Sequence, residues 1–351
     1  MLDQTVIEQF NIQPIKTVKP LSTGLINNSY AIECENGNNV LLQQINTSIF
    51  LNPENIQSNY QLILDHFNRI GSYQLPKIIE TVDGHNLFGY KDSVWRCFEF
   101  FQGTYSPLIA DTPEEAYTVA KCFGKFSADL SSIDIRKLKY ILPGFHNLEM
   151  RFQQFETALH NTSKQRKKEA ETLIQLCYYN YQYVKWYKHI SQNREQYPLR
   201  ILHQDCKISN ILFWESYPDK ICPIDLDTTQ PGLFFSDIGD MVRSMVPNIS
   251  ENDTAIDQME LRTEFYDAIK KGYMEAMWSH FTQKEKEDIG LSGNIIIYMQ
   301  AIRFLTDFLN GDVYYKTTHP QQNKNRAENQ FRLLELLQAY QKKAVPVNVQ
   351  A

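Results

Sequence analysis

Short apolar stretches separated by turn-forming residues fill the first hundred residues, a pattern that predicts short β-strands. A segment rich in Asn and Gly, 35–39, lies between two of these stretches and suits a hairpin turn. Apolar residues then recur at helical spacing over 55–69, so a helix is predicted there. The predicted strands are 30–34, 40–43, 77–81 and 94–101.

Helical spacing dominates from residue 112 onward. Thr112 precedes Pro113, and two acidic residues follow at once. A capping side chain, an early proline and early acids all favour the start of a helix. That helix is predicted to end near Leu130. The other predicted helices are 150–159, 164–192, 253–279, 284–289, 294–309 and 325–343.

Two short apolar runs, 211–213 and 221–224, interrupt the helical region on either side of a turn predicted at 217–220. A hairpin among helices departs from the local pattern, and such departures are where functional sites occur. The predicted fold class is α+β with two lobes. A small, mostly antiparallel β lobe with one helix spans 1–101, and a larger helical lobe that carries the hairpin spans 102–351.

Charge and cysteine content narrow the possible partners. The formal net charge is −6 and the basic residues show no extended clustering, which argues against nucleic acid as a partner. The six cysteines are scattered without metal-binding spacing, as expected in a reduced compartment. Residues 1–19 lack the apolar core of a signal peptide, and no stretch reaches the ~18 apolar residues of a membrane span. A cytoplasmic protein without membrane association is expected.

The clearest chemical motif is H-x-D-x-x-x-x-N, from His203 to Asn210. In phosphoryl transfer an Asp accepts or orients the acceptor's hydroxyl proton, and a nearby amide oxygen binds the metal on the phosphates. Asp225 follows an apolar run and can complete a Mg²⁺ site with Asn210. Taken singly, Asp205 and Asn210 could be ordinary turn residues. Together, the three residues form a coherent cation site for phosphoryl transfer, with Mg²⁺ bridging phosphate oxygens.

These residues resemble the aminoglycoside phosphotransferase and choline kinase superfamily. Its members carry an H-x-D-x-x-x-x-N loop, then an I-D-x-G or I-D-x-D segment, then a short D-I or D-L stretch. The matching segments here are 203–210, 224–227 and 237–240. The resemblance implies a protein-kinase-like fold, in which residues 1–101 bind nucleotide while 102–351 supply catalysis and the acceptor site.

The same resemblance assigns a role to each motif residue. Asp205 is implied as the catalytic residue that also contacts the acceptor. Asn210 and Asp225 are implied as metal ligands, and His203 and Asp237 as supports of the catalytic loop. Position 227, often Gly in the superfamily, is an Asp in this chain, and its role stays open.

Longer stretches are similar to the N-acetylhexosamine 1-kinase group, which phosphorylates the anomeric hydroxyl of a free amino sugar. This similarity implies ATP and a small sugar, N-acetylglucosamine or N-acetylgalactosamine, as substrates and the sugar 1-phosphate as product. The similar stretches are 24–30, 42–46, 142–146, 225–232, 237–243 and 303–312.

Arg303 lies in the last of these stretches, among apolar residues, and is a candidate for acceptor binding. An arginine in such surroundings needs an anionic or carbonyl partner. A sugar hydroxyl or a phosphate could serve, and so could Asp307 four residues later.

The candidate nucleotide site departs from the kinase pattern. Gly24 is the only glycine of the candidate phosphate loop, which also contains Asn27 and Asn28. The strand where kinases carry a phosphate-binding lysine has Gln43 and Gln44 and no lysine, and either glutamine could donate only a neutral hydrogen bond. Adenine is expected to form backbone hydrogen bonds with the connection 99–103, which includes Glu99 and Phe101.

Two alternatives stay open. The first is a kinase for another small alcohol, such as choline, ethanolamine, an aminoglycoside or a different sugar. A choline site would require an aromatic cage, which composition does not reveal. The second is a non-catalytic relative of the same fold.

Overall fold

The computed structural model describes residues 2–21 and 26–344 and forms two compact units. Unit 1 consists of Met1–Ser106, Asp129–Pro143 and Asn210–Pro231. Unit 2 consists of Pro107–Ala128, Gly144–Ser209 and Gly232–Ala351. The predicted hairpin therefore belongs to unit 1, although the chain reaches it through a long helical segment.

An antiparallel sheet forms the body of unit 1. Its strands are β1 (Ile15–Leu21), β2 (Asn28–Cys34), β3 (Asn39–Ile45), β4 (Ile78–Ile79), β5 (Phe88–Tyr90) and β6 (Ser93–Glu99). They pair in the order β1-β2-β3-β6-β4, and β5 also pairs with β6. In the register of β3 and β6, Gln43 lies opposite Arg96. This register brings two polar side chains together on neighbouring strands.

Two helices pack in unit 1, α1 (Gln4–Gln9) and α2 (Pro53–Ile70). Helix α2 begins at a proline, which needs no partner for a missing N–H, and ends at Gly71, whose φ of 69° suits glycine. The predicted helix over 55–69 is confirmed. Helix α1 and strands β1 and β5 were not predicted, since their short segments show little periodicity.

The predicted hairpin lies among the later strands. These are β7 (Thr104–Tyr105), β8 (Arg200–Leu202), β9 (Ile211–Trp214), β10 (Tyr217–Pro223) and β11 (Gln230–Gly232). Strands β9 and β10 pair antiparallel, and β7 lies on the other side of β9. The predicted turn at 217–220 is wrong, because Tyr217 already pairs with Trp214. Pro218 and Asp219 lie instead in an exposed part of β10 where the register is irregular.

Helices make up most of unit 2. They are α3 (Pro113–Leu130), α4 (Leu148–Asn161), α5 (Lys164–Glu169), α6 (Glu171–Tyr179), α7 (Gln182–Gln192), α8 (Phe235–Met245), α9 (Thr263–Met277), α10 (Gln283–Asp288), α11 (Ser292–Leu309) and α12 (Gln322–Ala344). Helix α11 is buried along nearly its whole length and packs against α4, α8 and α12. The predicted α+β class, with an antiparallel lobe and a helical lobe, is confirmed.

Two predicted helices differ from the structure. The single helix predicted over 164–192 is three helices, α5 to α7, broken at Ala170 and Asn180. At the second break the Leu176 carbonyl accepts both the Asn180 N–H, at 3.1 Å, and the Asn180 side chain, at 3.0 Å, so the side chain adds a bond at the end of the helix. The helix predicted from residue 253 begins only at Thr263.

Candidate active-site residues

The loop after β8 carries the predicted catalytic residue in unit 2. Asp237, in the first turn of α8, accepts hydrogen bonds from the N–H groups of Gln204 at 2.8 Å and His203 at 3.3 Å. The Ser127 hydroxyl donates to the same carboxylate at 3.0 Å. Burial raises the pKa of Asp237, and the N–H groups of Gln204 and His203 oppose part of that rise. Asp237 thus lies where the resemblance placed a support for the loop.

His203 and Asp205 are adjacent in this loop but differ in environment. The His203 ring is fully buried against Phe123 and Phe126. Asp205 donates its N–H to His203 Nδ1 at 3.3 Å, and its partly exposed carboxylate pairs with Lys207 at 3.0 Å. Gln204 between them has φ of 66°, a conformation that is sparsely populated and typical of functional loops. The loop therefore presents the Asp205 carboxylate beside a rigid, buried anchor.

Asn210 and Asp225 lie at the base of the β9–β10 hairpin in unit 1. The N–H of Ile224 donates to the Asn210 carbonyl at 2.9 Å, so the two candidate metal ligands are held as neighbours. Asp225 has φ of 60° and ψ of 55°, an uncommon conformation for a residue with a side chain.

One amide oxygen and one carboxylate fit Mg²⁺, which in nucleotide sites takes one or two carboxylates and completes its shell with phosphates and water. Among the described residues, no group of three His, Cys, Asp or Glu side chains could hold a metal ion by itself.

Asp227, whose role the sequence left open, is the centre of a buried polar cluster in unit 1. Its Oδ2 pairs with Arg96 Nη2 at 2.7 Å and accepts from Asn27 Nδ2 at 2.8 Å. Arg96 Nε donates to Gln43 Oε1 at 3.0 Å, and Gln43 Nε2 donates to Ser29 Oγ at 2.9 Å. Both charged side chains are almost completely buried. We call these five residues the Arg96 cluster.

The other predicted nucleotide-binding residues lie around the same sheet. Asn28 donates to the Gln44 side chain at 3.0 Å across β2 and β3. The Glu99 N–H donates to the Lys77 carbonyl at 2.8 Å, so that N–H is engaged within the protein. The Phe101 ring contacts Trp214, with 5.4 Å between the centroids. Gly24 lies outside the described residues.

A second cluster, in unit 2, surrounds the predicted acceptor residue Arg303. Its guanidinium lies over the rings of Phe145, at 5.3 Å, and Tyr315, at 5.7 Å, and donates to Gln300 at 3.0 Å. It forms no ion pair within the described residues. Asp307, the alternative partner, instead accepts from the N–H groups of the loop 313–315 at 2.8–3.0 Å.

His146 and Arg151 also belong to this second cluster. Burial lowers the pKa of His146 well below its usual range, and the charges of Arg303 and Arg151 lower it further. Burial and the charge of Arg303 lower the pKa of Arg151 to about 10. The Asp205 carboxylate opposes the shift at His146, which places it within electrostatic range of the cluster. This neighbourhood is therefore positive and partly aromatic.

The charge of Arg243 is paired, unlike that of Arg303 in the second cluster. It pairs with Asp240 at 2.9 Å, three residues earlier on α8, and with Glu251 at 2.9 Å. Burial raises the pKa of Asp240, Arg243 lowers it, and Asp205 raises it.

Arg96, His146 and Arg151 were not predicted from the sequence as members of these two clusters. Arg96 lies in the apolar run Val94 to Phe98, and a single arginine in a buried strand was a usable sign of an anionic partner. His146 and Arg151 gave no comparable sign, because their proximity to Arg303 depends on how α4 packs against α11.

The chain matches a known protein family over most of its length. The model of a family described as "Phosphotransferase enzyme family" matches residues 17–277, a range that includes the catalytic loop, the hairpin and Asp237. Arg303 lies beyond the match.

Solved structures show the same fold at low sequence identity. An aminoglycoside phosphotransferase from Alicyclobacillus acidocaldarius has a TM-score of 0.65 at 12% identity, covering 98% of this chain and 96% of that one. A microcompartment-associated aminopropanol kinase gives 0.63 at 15%, covering 97% and 98%. A spectinomycin phosphotransferase in complex with ADP and spectinomycin gives 0.60 at 11%, covering 97% and 99%.

Within residues 2–21 and 26–344, none of the helices combines the length and apolar content that crossing a bilayer requires.

Proposed function

The chain belongs to the phosphotransferase enzyme family and is a small-molecule kinase, and from this premise we propose that it phosphorylates the anomeric hydroxyl of a free N-acetylhexosamine. ATP is the donor, N-acetylglucosamine and N-acetylgalactosamine are acceptors, and the sugar 1-phosphate is the product. The similar phosphotransferase solved with ADP supports an adenine nucleotide.

Asp205 is the residue proposed to act on the acceptor. Its carboxylate accepts the hydroxyl proton as the oxygen attacks the γ-phosphorus, and the bond to the β–γ bridging oxygen breaks. The anomeric hydroxyl is more acidic than other sugar hydroxyls, so modest base assistance suffices. Asp237 holds the Gln204 and His203 backbone and thereby keeps this carboxylate in one position.

The nucleotide is proposed to bind along unit 1. Its base meets the connection at Glu99 and Phe101, and its phosphates meet the loop that contains Gly24, Asn27 and Asn28. Asn210 and Asp225 would hold Mg²⁺, which when bound neutralises charge on the phosphate oxygens.

The surroundings of Arg303 are the observation that supports the acceptor assignment. A partly buried arginine that has no ion pair among the described residues, beside two aromatic rings, suits an amide carbonyl and sugar hydroxyls, which it can bind with several donors. The same positive neighbourhood disfavours a cationic acceptor such as choline or ethanolamine, because like charges repel in a desolvated site. An uncharged N-acetyl sugar meets both conditions.

The test is ADP production from ATP and Mg²⁺ with a panel of free sugars and amino alcohols. We expect turnover with N-acetylglucosamine and N-acetylgalactosamine and a phosphorus spectrum of a sugar 1-phosphate. The 1-O-methyl glycosides should be inert and weakly competitive, since the methyl group removes the nucleophile and leaves the rest of the sugar to bind.

Other results would change the assignment. Phosphorylation of a methyl glycoside would move the reaction to another hydroxyl, and turnover of choline or ethanolamine alone would replace the sugar by an amino alcohol. ATP binding without ADP production from any acceptor would indicate a non-catalytic relative.

A further inference from the structure

Both halves of the usual kinase ion pair are absent from their usual elements. In protein kinases a lysine of the third strand pairs with a glutamate of the following helix and contacts the nucleotide phosphates. Here β3 has Gln43, and the acids of α2, Glu54 and Asp65, are exposed. The buried face of α2 carries no acidic residue. A positive side chain that binds the phosphates from unit 1 would therefore come from an element other than β3.

Arg96 and Asp227 form a buried ion pair elsewhere in unit 1. Arg96 comes from β6, the strand next to β3, and its side chain is 3% exposed, against 5% for Asp227. Removing two charges from water is unfavourable unless hydrogen bonds compensate fully. Gln43 and Asn27 supply such bonds, one to each partner. The glutamine that replaces lysine on β3 thus binds the arginine on β6.

The Arg96 cluster is tied to both segments that the proposed function assigns to phosphate and metal. Asn27 belongs to the candidate phosphate loop, and Asp227 follows Asp225 by two residues. Arg96 Nη1 is buried and has no hydrogen-bond partner within the described residues. A guanidinium nitrogen left without an acceptor is unfavourable, and phosphate oxygens are the acceptors that arginine binds best.

We infer that Arg96, held by Asp227 and Gln43, supplies the positive charge that binds the phosphates of the nucleotide in place of a lysine on β3. This inference rests on the proposed function as an ATP-dependent kinase. Asp227 takes the place of the helix glutamate as the partner that orients the cation. Arg96 is accordingly a phosphate-binding residue, and Gln43 and Asp227 are positioning residues.

Calorimetric titration of adenosine, ADP and ATP with Mg²⁺ into wild type and Arg96→Met tests the inference. We expect ADP and ATP affinity to fall at least about tenfold, while adenosine affinity changes less than about twofold. The ratio of ADP to adenosine affinity is the readout, because a purely structural role would change both alike. Arg136→Met, which removes an exposed arginine paired with Asp134, should leave the ratio unchanged.

Two further variants cover rescue and misfolding. Gln43→Lys in the Arg96→Met background returns a cation to the position opposite residue 96 and should restore most of the lost ADP affinity. If Arg96→Met does not fold, Arg96→Lys serves instead. It keeps the charge, loses the planar fork, and should lower the ratio about threefold or more.

The outcomes separate the two proposals. Wild type that binds neither ADP nor ATP contradicts the proposed function. Wild type that binds them, with an unchanged ADP to adenosine ratio in Arg96→Met or in Arg96→Lys, overturns the assignment of Arg96. An equal loss of adenosine and ADP affinity also overturns it.

Discussion

Two aspartates of unit 2, Asp205 and Asp237, lie in different surroundings. Asp237 is completely buried, and its carboxylate accepts hydrogen bonds from Gln204, His203 and Ser127. Asp205 is partly exposed and pairs with Lys207. A buried carboxylate that accepts several protein hydrogen bonds fixes structure, whereas one at the surface of the loop can exchange a proton with a substrate.

Asp205→Asn should nearly abolish turnover and leave ATP affinity within about twofold, since the lost carboxylate acts on the acceptor proton. Loss of a general base costs on the order of 10²–10⁴ in kcat. Steady-state ADP release and nucleotide titration measure the two effects. Asp219→Asn, an exposed residue of β10, is the matched control and should behave as wild type. A mutant with more than about a tenth of the wild-type kcat, a deficit under ~1.4 kcal/mol, would contradict the role.

At the scale of elements, α8 positions the catalytic loop only because α11 can approach it closely. A Cβ added at Gly239 of α8 would lie 2.5 Å from the Ser292 carbonyl oxygen and 2.5 Å from the Ile296 side chain. The backbone contact cannot be relieved by a rotamer change. Glycine at this position therefore sets the distance between the helix that carries Asp237 and the most buried helix of unit 2.

Gly239→Ala should lower the free energy of unfolding by about 1–2 kcal/mol. Overpacking costs about 1–3 kcal/mol, and the higher helix propensity of alanine offsets part of it. Thermal denaturation should show a midpoint lower by a few degrees. Gly290→Ala, at a position with no atom within 4 Å of the added Cβ, is the control and should not lower the midpoint. Equal midpoints for both variants would show that the two helices can separate without cost.

At the scale of the whole molecule, all six cysteines are buried thiols outside any disulfide among the described residues. Burial raises the pKa of Cys34, Cys177 and Cys206, which lowers the fraction of reactive thiolate. Their distribution through both units makes thiol reactivity a probe of global opening. The reduced compartment that the cysteine spacing suggested stays a prediction.

Native protein should therefore react slowly with a thiol reagent at pH 8, with less than about one equivalent consumed in minutes. All six thiols should react at once in denaturant. Absorbance of the released thiolate follows both reactions. Rapid reaction of several thiols in the native protein would mean that at least one core opens readily.

The sequence by itself predicted the chemistry of the motif and determined the class of the fold. The spacing from His203 to Asn210 and the carboxylate at Asp225 are local patterns, and periodicity depends on near neighbours, so α2 and α11 were predicted close to their observed bounds. Local patterns failed where side chains or surface strands compete with regular structure, as at Asn180 and Pro218.

Only the tertiary structure decided which charges meet. Arg96 and Asp227 are 131 residues apart, and their pairing depends on how the hairpin packs in unit 1 and on the register that places Gln43 opposite Arg96. Arg303 faces Phe145 and acts on His146 for the same kind of reason. Periodicity is a property of neighbouring residues, whereas partners for buried charges are chosen by packing between segments that are distant in sequence.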